Sequence, residues 1–200
     1  MLHFVAMGKR ILILLGHPDP SHDRLCRALA DAYADGAQQA GHEIRRIDIA
    51  TLDIPYLRGQ SEFEHSSPAS ALTEAQAAIA WAEHILVVFP LWLGDMPAML
   101  KAFFEQVLRP GFAFVYRATG FPEQRLAGRT AHVVITMGMP ALAYRWLFFA
   151  HALRLLKRNI LGFVGIRPVK DTIFGGVAAA GNAQRQLWLK RMREAGTNAA

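Results

Sequence analysis

Apolar runs alternate along the chain with segments whose apolar residues recur at helical spacing. Segments 24–40 and 96–108 place apolar residues on one side of a helix, and Gly41 ends the first of them. Three short runs are apolar almost throughout, which is typical of strands buried on both faces: 10–16, 84–89 and 130–136. Strands that alternate with helices in this way predict an α/β fold, a doubly wound parallel sheet with helices on both faces.

The other segments follow a weaker pattern. A further strand is predicted over 42–50 and a long loop over 51–72. Thr73 is predicted to cap a helix that runs to about Ala82, with Gln76 in the capping-box position. Residues 109–122 form a segment with several aromatic residues, here called the aromatic excursion. The rest of the chain predicts a long helix over 144–158, one or two strands over 162–174 and a closing helix over 178–196.

The length of 200 residues suits one domain, predicted over 10–200, after an N-terminal extension over 1–9. Met7 is an alternative start. One cysteine, Cys26, excludes an intramolecular disulfide and fits a reducing compartment, so a cytoplasmic location is expected. Stable membrane insertion is not expected, because charged residues interrupt the most apolar region, 146–166.

The formal net charge of +6 favours acidic partners, such as a nucleotide, a nucleic acid or a membrane surface. The basic residues are not gathered in one block, and no nucleic-acid-binding motif accompanies them. A small-molecule enzyme with a surplus of arginine explains the charge equally well, so nucleic acid is not expected as a partner.

In a doubly wound sheet the ligand lies outside the carboxyl ends of the strands, which directs attention to the loops 17–24, 90–95 and 136–144. The first loop, HPDPSHDR, has neither a dinucleotide fingerprint nor a Walker pattern. It leads into a helix N-terminus, where free backbone amides attract an anion such as phosphate. Plain N-capping by Ser21 or Asp23 is the alternative.

The second loop, FPLWLG (89–94), is apolar and stiffened by Pro90 where a buried strand normally ends in small polar residues. Such a turn suits the edge of a flat aromatic ligand, contacted through backbone amides. The alternative is that Trp92 and Leu93 belong to the core or to an oligomer contact.

The segment FPLWLGDMPAMLKAFFEQVLRPGFAF (89–114) resembles the signature of the flavodoxin-like NAD(P)H:quinone oxidoreductases, the DT-diaphorase type and its bacterial relatives. HPDP after the first strand and TMGMPALAY (136–144) match the same family in order and spacing. The resemblance implies a five-stranded flavodoxin-like sheet, bound FAD or FMN, and a homodimer.

The resemblance also assigns roles to individual positions. The flavin phosphate and ribityl chain would be held by His17, Ser21, Asp23, Arg24 and Leu25. The edge of the flavin ring would be lined by Pro90, Leu91, Trp92, Leu93 and Gly94, and its other side by Thr136, Met137 and Gly138. Tyr144 would lie near flavin N1/O2 and His151 would assist it as catalytic residues, although His151 matches only after a one-residue shift. No metal is implied.

By this resemblance the protein would pass a hydride from NAD(P)H through flavin N5 to a quinone or another small aromatic acceptor. Aromatic residues of the excursion would wall the acceptor pocket or form core or dimer contacts: Phe112, Phe114, Tyr116 and Phe121. Two alternatives remain, a regulatory flavoprotein subunit of a potassium efflux system and a flavodoxin-type electron carrier. The sequence leaves open FMN or FAD, and NADH or NADPH.

Overall fold

Five strands form one parallel sheet in the computed structural model, which describes residues 8–199. Met7 and most of the extension predicted over 1–9 lie outside the described residues. The strands are β1 (Arg10–Leu15), β2 (Glu43–Asp48), β3 (His84–Pro90), β4 (Thr130–Thr136) and β5 (Val169–Phe174). β1, β3 and β4 coincide with the three apolar runs, because a central strand covered on both faces has no polar side to show.

The strand order is β2-β1-β3-β4-β5, and every neighbouring pair is parallel. This is the flavodoxin-like order, so the predicted five-stranded, doubly wound sheet is confirmed. The chain reverses its direction of winding between β1 and β3, where Leu15 pairs with Val88. Farther along, Pro90 pairs with Thr136, so the ends of β3 and β4 lie side by side.

Helices cover both faces of the sheet. They are α1 (Leu25–Gln39), α2 (Gln60–His65), α3 (Ser70–Trp81), α4 (Ala98–Val107), α5 (Ala141–Trp146), α6 (His151–Leu155) and α7 (Asn182–Asn198). α1 and α7 pack on the face that carries Ile11 and Ile13 of β1, while α3 and α4 pack on the face that carries Leu12 and Leu14. No helix within residues 8–199 is long and apolar enough to cross a membrane.

The start of α3 differs from the prediction. The helix begins at Ser70, and the predicted cap by Thr73 is wrong, because the Thr73 hydroxyl donates to the Ala69 carbonyl within the first turn (3.3 Å). Gln76 does not complete a capping box; its side-chain amide donates to the Val107 carbonyl at the end of α4 (2.8 Å). Gln76 therefore ties two helices together.

The long helix predicted over 144–158 is interrupted. α5 ends at Trp146, and Phe149 and Ala150 take left-handed backbone angles (φ 51° and 47°) before α6 begins at His151. A π-helical segment, Leu156–Leu161, continues α6. No glycine or proline marks the break, so the apolar spacing concealed it.

Two other segments differ from the prediction. The loop 51–72 contains α2, and 162–174 supplies a single strand, β5. In the aromatic excursion Phe114–Val115 pairs with Glu123–Gln124 as a short antiparallel ladder.

Candidate functional site

The loops after β1, β3 and β4 meet at the carboxyl edge of the sheet. The amide of Leu91 donates to the carbonyl of Thr136 (2.8 Å), which joins the second loop to the third. The rings of His17 and Trp92 contact edge to face with centroids 5.8 Å apart, which joins the first loop to the second. The sequence-predicted site residues on these loops are therefore brought together.

Asp19 organises the loop after β1. Its carboxylate accepts hydrogen bonds from the Ser21 amide (2.8 Å) and from the Arg24 guanidinium (2.8 Å). Hydrogen bonds from the hydroxyl and the amide of Ser21, aided by the charge of Arg24, lower the pKa of Asp19 to about 2. The carboxylate stays ionised at neutral pH and holds Arg24 over the loop.

His17 is a neutral donor in this loop. Its Nδ1 accepts a hydrogen bond from the Asp19 amide (3.0 Å), so the proton of the neutral ring is on Nε2. Burial lowers the pKa of His17; the charge of Asp19 opposes this and that of Arg24 adds to it. The ring can therefore donate Nε2–H to a ligand at neutral pH.

The first turn of α1 offers unused donors. Arg24 is its N-cap residue and makes no side-chain capping bond, so N-capping by Ser21 or Asp23 is not observed. Within residues 8–199 the amides of Leu25 and Cys26 form no backbone hydrogen bond. With the positive end of the helix dipole and the Arg24 guanidinium, they favour an anion at this point.

The loop after β3 closes as a tight turn. Trp92 and Asp95 exchange backbone hydrogen bonds (2.9 and 3.0 Å), while Leu93 and Gly94 both have positive φ (48° and 83°). Two positive φ values in a two-residue turn are the type I′ pattern. A leucine in this conformation is strained by about 1–2 kcal/mol.

This turn presents its central residues to solvent. The Leu93 side chain is fully exposed and Trp92 is 46% exposed, so neither belongs to the core. The amides of Leu91 and Trp92 are already bonded within the protein, which leaves those of Leu93 and Gly94 as donors with no backbone partner in the described chain. The contribution of Pro90, Leu91 and Trp92 to a ligand site stays a prediction.

The loop after β4 offers the Gly138 amide as a donor. Thr136 is buried, and its hydroxyl lies 3.3 Å from the Cys26 thiol, whose pKa burial raises to about 11. Met137 is also buried and its amide donates to Phe174 (2.9 Å). Gly138 is exposed, and its amide has no backbone partner in the part of the chain that the structure describes.

Tyr144 lies in the core beneath these loops. It is 1% exposed, and its hydroxyl oxygen accepts a hydrogen bond from the Leu153 amide at the start of α6 (3.3 Å). Burial raises the pKa of its hydroxyl. This geometry anchors α6 to α5, and the catalytic role expected of Tyr144 stays a prediction.

His151 is exposed and does face the site. It lines a cavity of about 520 Å³ together with the turn Leu93–Asp95 and with Arg154 of the same helix. Its ring contacts Phe149 with centroids 5.9 Å apart. The structure therefore brings His151 to the β3 turn, and its catalytic role also stays a prediction.

Three features of the site were missed from the sequence: Asp19, Asp95 and Gly175. Asp19 organises the first loop, and Asp95 closes the β3 turn while its side chain accepts the Met96 amide (2.7 Å). A Cβ on Gly175 would lie 2.3 Å from the amide nitrogen of Ala141, so only glycine fits where the β5 loop crosses the β4 loop. Aspartate beside proline, Gly-Asp, and Gly-Gly are the turn signals that identify these positions.

The chain is similar to known proteins in sequence and in structure. The FMN-dependent NADH:quinone oxidoreductase of Bordetella avium is 29% identical over 167 residues, which cover 76% of this chain and 79% of that protein. The NAD(P)H:quinone oxidoreductase from Methanothermobacter marburgensis is 26% identical, with a TM-score of 0.78 and 96% of each chain covered.

An FMN-dependent NADH-azoreductase from Bacillus anthracis, solved in complex with FMN, shares the fold with a TM-score of 0.76. It is 18% identical, and the match covers 96% of this chain and 99% of that one. A family profile described as flavodoxin-like fold matches residues 9–195. The chain thus belongs to the flavodoxin-like fold family.

Proposed function

We propose that the protein is a flavin-dependent NAD(P)H:quinone oxidoreductase. The observation that carries this proposal is a set of backbone amides that have no backbone acceptor within residues 8–199 and lie on three adjacent segments at one edge of the sheet: those of Leu25, Cys26, Leu93, Gly94 and Gly138. The relatives in Bordetella avium and Methanothermobacter marburgensis are named as quinone oxidoreductases. A flavin has a phosphate at one end and a polar, flat ring system at the other, which fits this arrangement of donors.

The phosphate end would lie at the first turn of α1. Here His17 donates from Nε2, Arg24 supplies positive charge, and the helix amides point outward. Ser21 and Asp23 would border the same loop as predicted. Asp19 would not contact the phosphate, since its charge belongs to the pair with Arg24.

The ring end would lie between the β3 turn and the β4 loop. The amides of Leu93 and Gly94 would lie on one side of the ring and that of Gly138 on the other, and a Cβ at Gly94 or Gly138 would meet open space. Thr136 and Met137 would support the β4 loop from the core rather than donate to the ring, because their polar groups are bonded inside the protein.

When bound, a flavin would supply the two-electron chemistry that links nicotinamide oxidation to quinone reduction. The protein binds and orients it. A fixed donor such as the Gly138 amide would stabilise negative charge on the nearby ring atoms. Tyr144 would act as a positioning residue, because its hydroxyl bonds to Leu153 and fixes α6 beside the site.

FMN is the flavin we assign to this site, with NADH as a donor. The Bordetella avium relative is named as an FMN-dependent NADH:quinone oxidoreductase, and the loop after β1 offers donors for one flavin phosphate, at the start of α1. Unfolding the coloured protein and measuring the mass of the released flavin tests this assignment; release of FAD would contradict it.

A homodimer is the second component of the proposal. Five large apolar side chains between β4 and α6 are more than half exposed: Leu142, Trp146, Leu147, Phe148 and Phe149. Large apolar side chains exposed together in one short segment are typical of an association surface. Sedimentation equilibrium is expected to give twice the 22.2 kDa chain mass, and a monomeric mass would contradict the dimer.

Steady-state kinetics test the function itself. The flavin-loaded protein is expected to oxidise NADH only when a simple benzoquinone is present as acceptor, and to lose this activity when the flavin is removed. Protein that stays colourless after reconstitution with FMN, or flavin-loaded protein without quinone turnover, would contradict the proposal.

A further inference from the structure

Two exposed arginines lie beside the candidate site. Arg154 lies in α6, and Arg158 lies in the π-helical segment that continues it, about one turn later. Both are exposed, and neither forms an ion pair with a carboxylate of residues 8–199. The neighbouring cations Arg145 and Lys157 are different, since both bind Asp171 (2.7 and 2.6 Å).

Both arginines line a groove that starts at the β3 turn. The cavity of about 520 Å³ between Leu93–Asp95 and α6 has Arg154 and Arg158 in its wall. A second cavity of about 510 Å³ shares the same two arginines and continues past Phe149 toward Asp171. Cavities of this size accommodate drug-sized ligands.

The charge of the groove favours an anion. Asp95 lies at its end, where one carboxylate oxygen accepts the Met96 amide. Arg145 and Lys157 neutralise Asp171, and the side chains of these three residues hold one another in place. The guanidinium groups of Arg154 and Arg158 have no carboxylate partner in the described chain, and guanidinium is the side-chain group that best matches phosphate oxygens.

We propose that Arg154 and Arg158 bind the phosphate groups of the reduced nicotinamide dinucleotide, with its nicotinamide ring directed to the Leu93–Asp95 turn. The inference rests on the proposed function, which requires such a dinucleotide to reach that turn. The pyrophosphate is separated from the nicotinamide by one ribose, so a ligand with its ring at the turn extends along the groove. The arginines act in binding and take no part in hydride transfer.

The test compares two hydride donors. In the double variant Arg154→Gln/Arg158→Gln, KM for NADH is expected to rise roughly tenfold or more, with kcat little changed, because two charge-assisted contacts are lost. KM for 1-benzyl-1,4-dihydronicotinamide, a donor without phosphate, is expected to stay the same. Lys190→Gln/Arg191→Gln on α7 removes the same charge from the opposite face and is expected to change neither KM.

Direct binding gives a second readout. Calorimetric titration with ADP-ribose, which has the pyrophosphate and no nicotinamide, is expected to show binding to the wild type that the Arg154→Gln/Arg158→Gln variant loses. Unchanged KM for NADH, an equal rise of KM for both donors, or equal ADP-ribose binding by both proteins would overturn the subsite. Wild-type protein that oxidises neither donor contradicts the proposed function instead, and the titration then still decides whether the two arginines bind pyrophosphate.

Discussion

At the residue scale, Asp19 and Arg24 give the loop after β1 its shape and charge. Asp19 binds the Ser21 amide on one side and the Arg24 guanidinium on the other, so the loop closes on itself without a glycine. Arg24 is then fixed at the N-cap of α1, where its charge adds to the helix dipole. In the proposed function this loop would bind the flavin phosphate with an ion pair rather than with a glycine-rich turn.

Replacing Arg24 with glutamine tests this site. The Kd for FMN is expected to rise roughly tenfold, because a charge-assisted contact is lost and the Asp19 carboxylate becomes uncompensated. The Kd for riboflavin, which lacks the phosphate, is expected to stay the same. Titrations followed by flavin fluorescence measure both, with Arg58→Gln as an exposed control; an equal loss of affinity for the two flavins would count against the phosphate role.

At the same scale, the burial of His84 predicts that acid destabilises the core. It is buried under α1, with Nδ1 2.6 Å from the Thr130 hydroxyl and its ring stacked on Tyr33. Burial, helped by the nearby His132, lowers the pKa of His84 to about 3. The unfolded state, with a pKa near 6.5, therefore binds more protons between these values, so His84 favours folding above about pH 6.5 and this contribution is lost as the pH falls toward 3.

The measurement is urea unfolding of the wild type and of His84→Gln across this pH range. The stability advantage of the wild type over the variant is expected to shrink by a few kcal/mol between about pH 6.5 and 3. His65→Gln, at an exposed histidine, is the control for the loss of an imidazole from the surface. A difference between wild type and His84→Gln that does not depend on pH would show that His84 is not buried in its neutral form.

At the element scale, the strands and helices with a regular apolar pattern could be predicted from the sequence. The break between two helices could not. The strands β1, β3 and β4 can be recognised by their continuous apolar runs, because they are buried on both faces. Helix α1 can be recognised by its apolar stripe, because it is buried on one face. The break after α5 depends on Phe149 and Ala150 adopting left-handed backbone angles, which residues other than glycine rarely adopt. Such a break has no local sequence signal.

The contact between α1 and α7 also depends on particular residues that periodicity does not reveal. A Cβ on Gly36 would lie 1.9 Å from the Arg193 carbonyl oxygen, and one on Gly196 would lie 2.0 Å from the Tyr33 carbonyl oxygen. The two backbones therefore touch, and each glycine makes room for the other helix.

Gly36→Ala or Gly196→Ala is expected to lower the free energy of unfolding by about 1–3 kcal/mol, because the helices must move apart despite the better helix propensity of alanine. Chemical denaturation measures the change. Gly59→Ala, at a position where a Cβ meets nothing within 4 Å, is the control. Gly36→Ala and Gly196→Ala variants as stable as the wild type would show that the two helices are not in backbone contact.

At the scale of the whole molecule, the winding of the sheet creates the site. Residues far apart in sequence, such as His17 and Trp92, meet because β1 and β3 are neighbours whose carboxyl ends share one edge. That meeting could be predicted from the strand pattern alone. The depth of Tyr144 and the exposure of Leu93 could not, because they depend on how each loop packs against its neighbours.

The central claim is that this edge holds a flavin that moves electrons from NAD(P)H to a quinone. Anaerobic rapid mixing of the coloured protein with one equivalent of NADH, followed by one equivalent of benzoquinone, tests it in two steps. The flavin absorbance is expected to bleach with NADH and to return fully with the quinone. A flavin that NADH does not bleach, or that stays reduced after the quinone is added, would contradict the account.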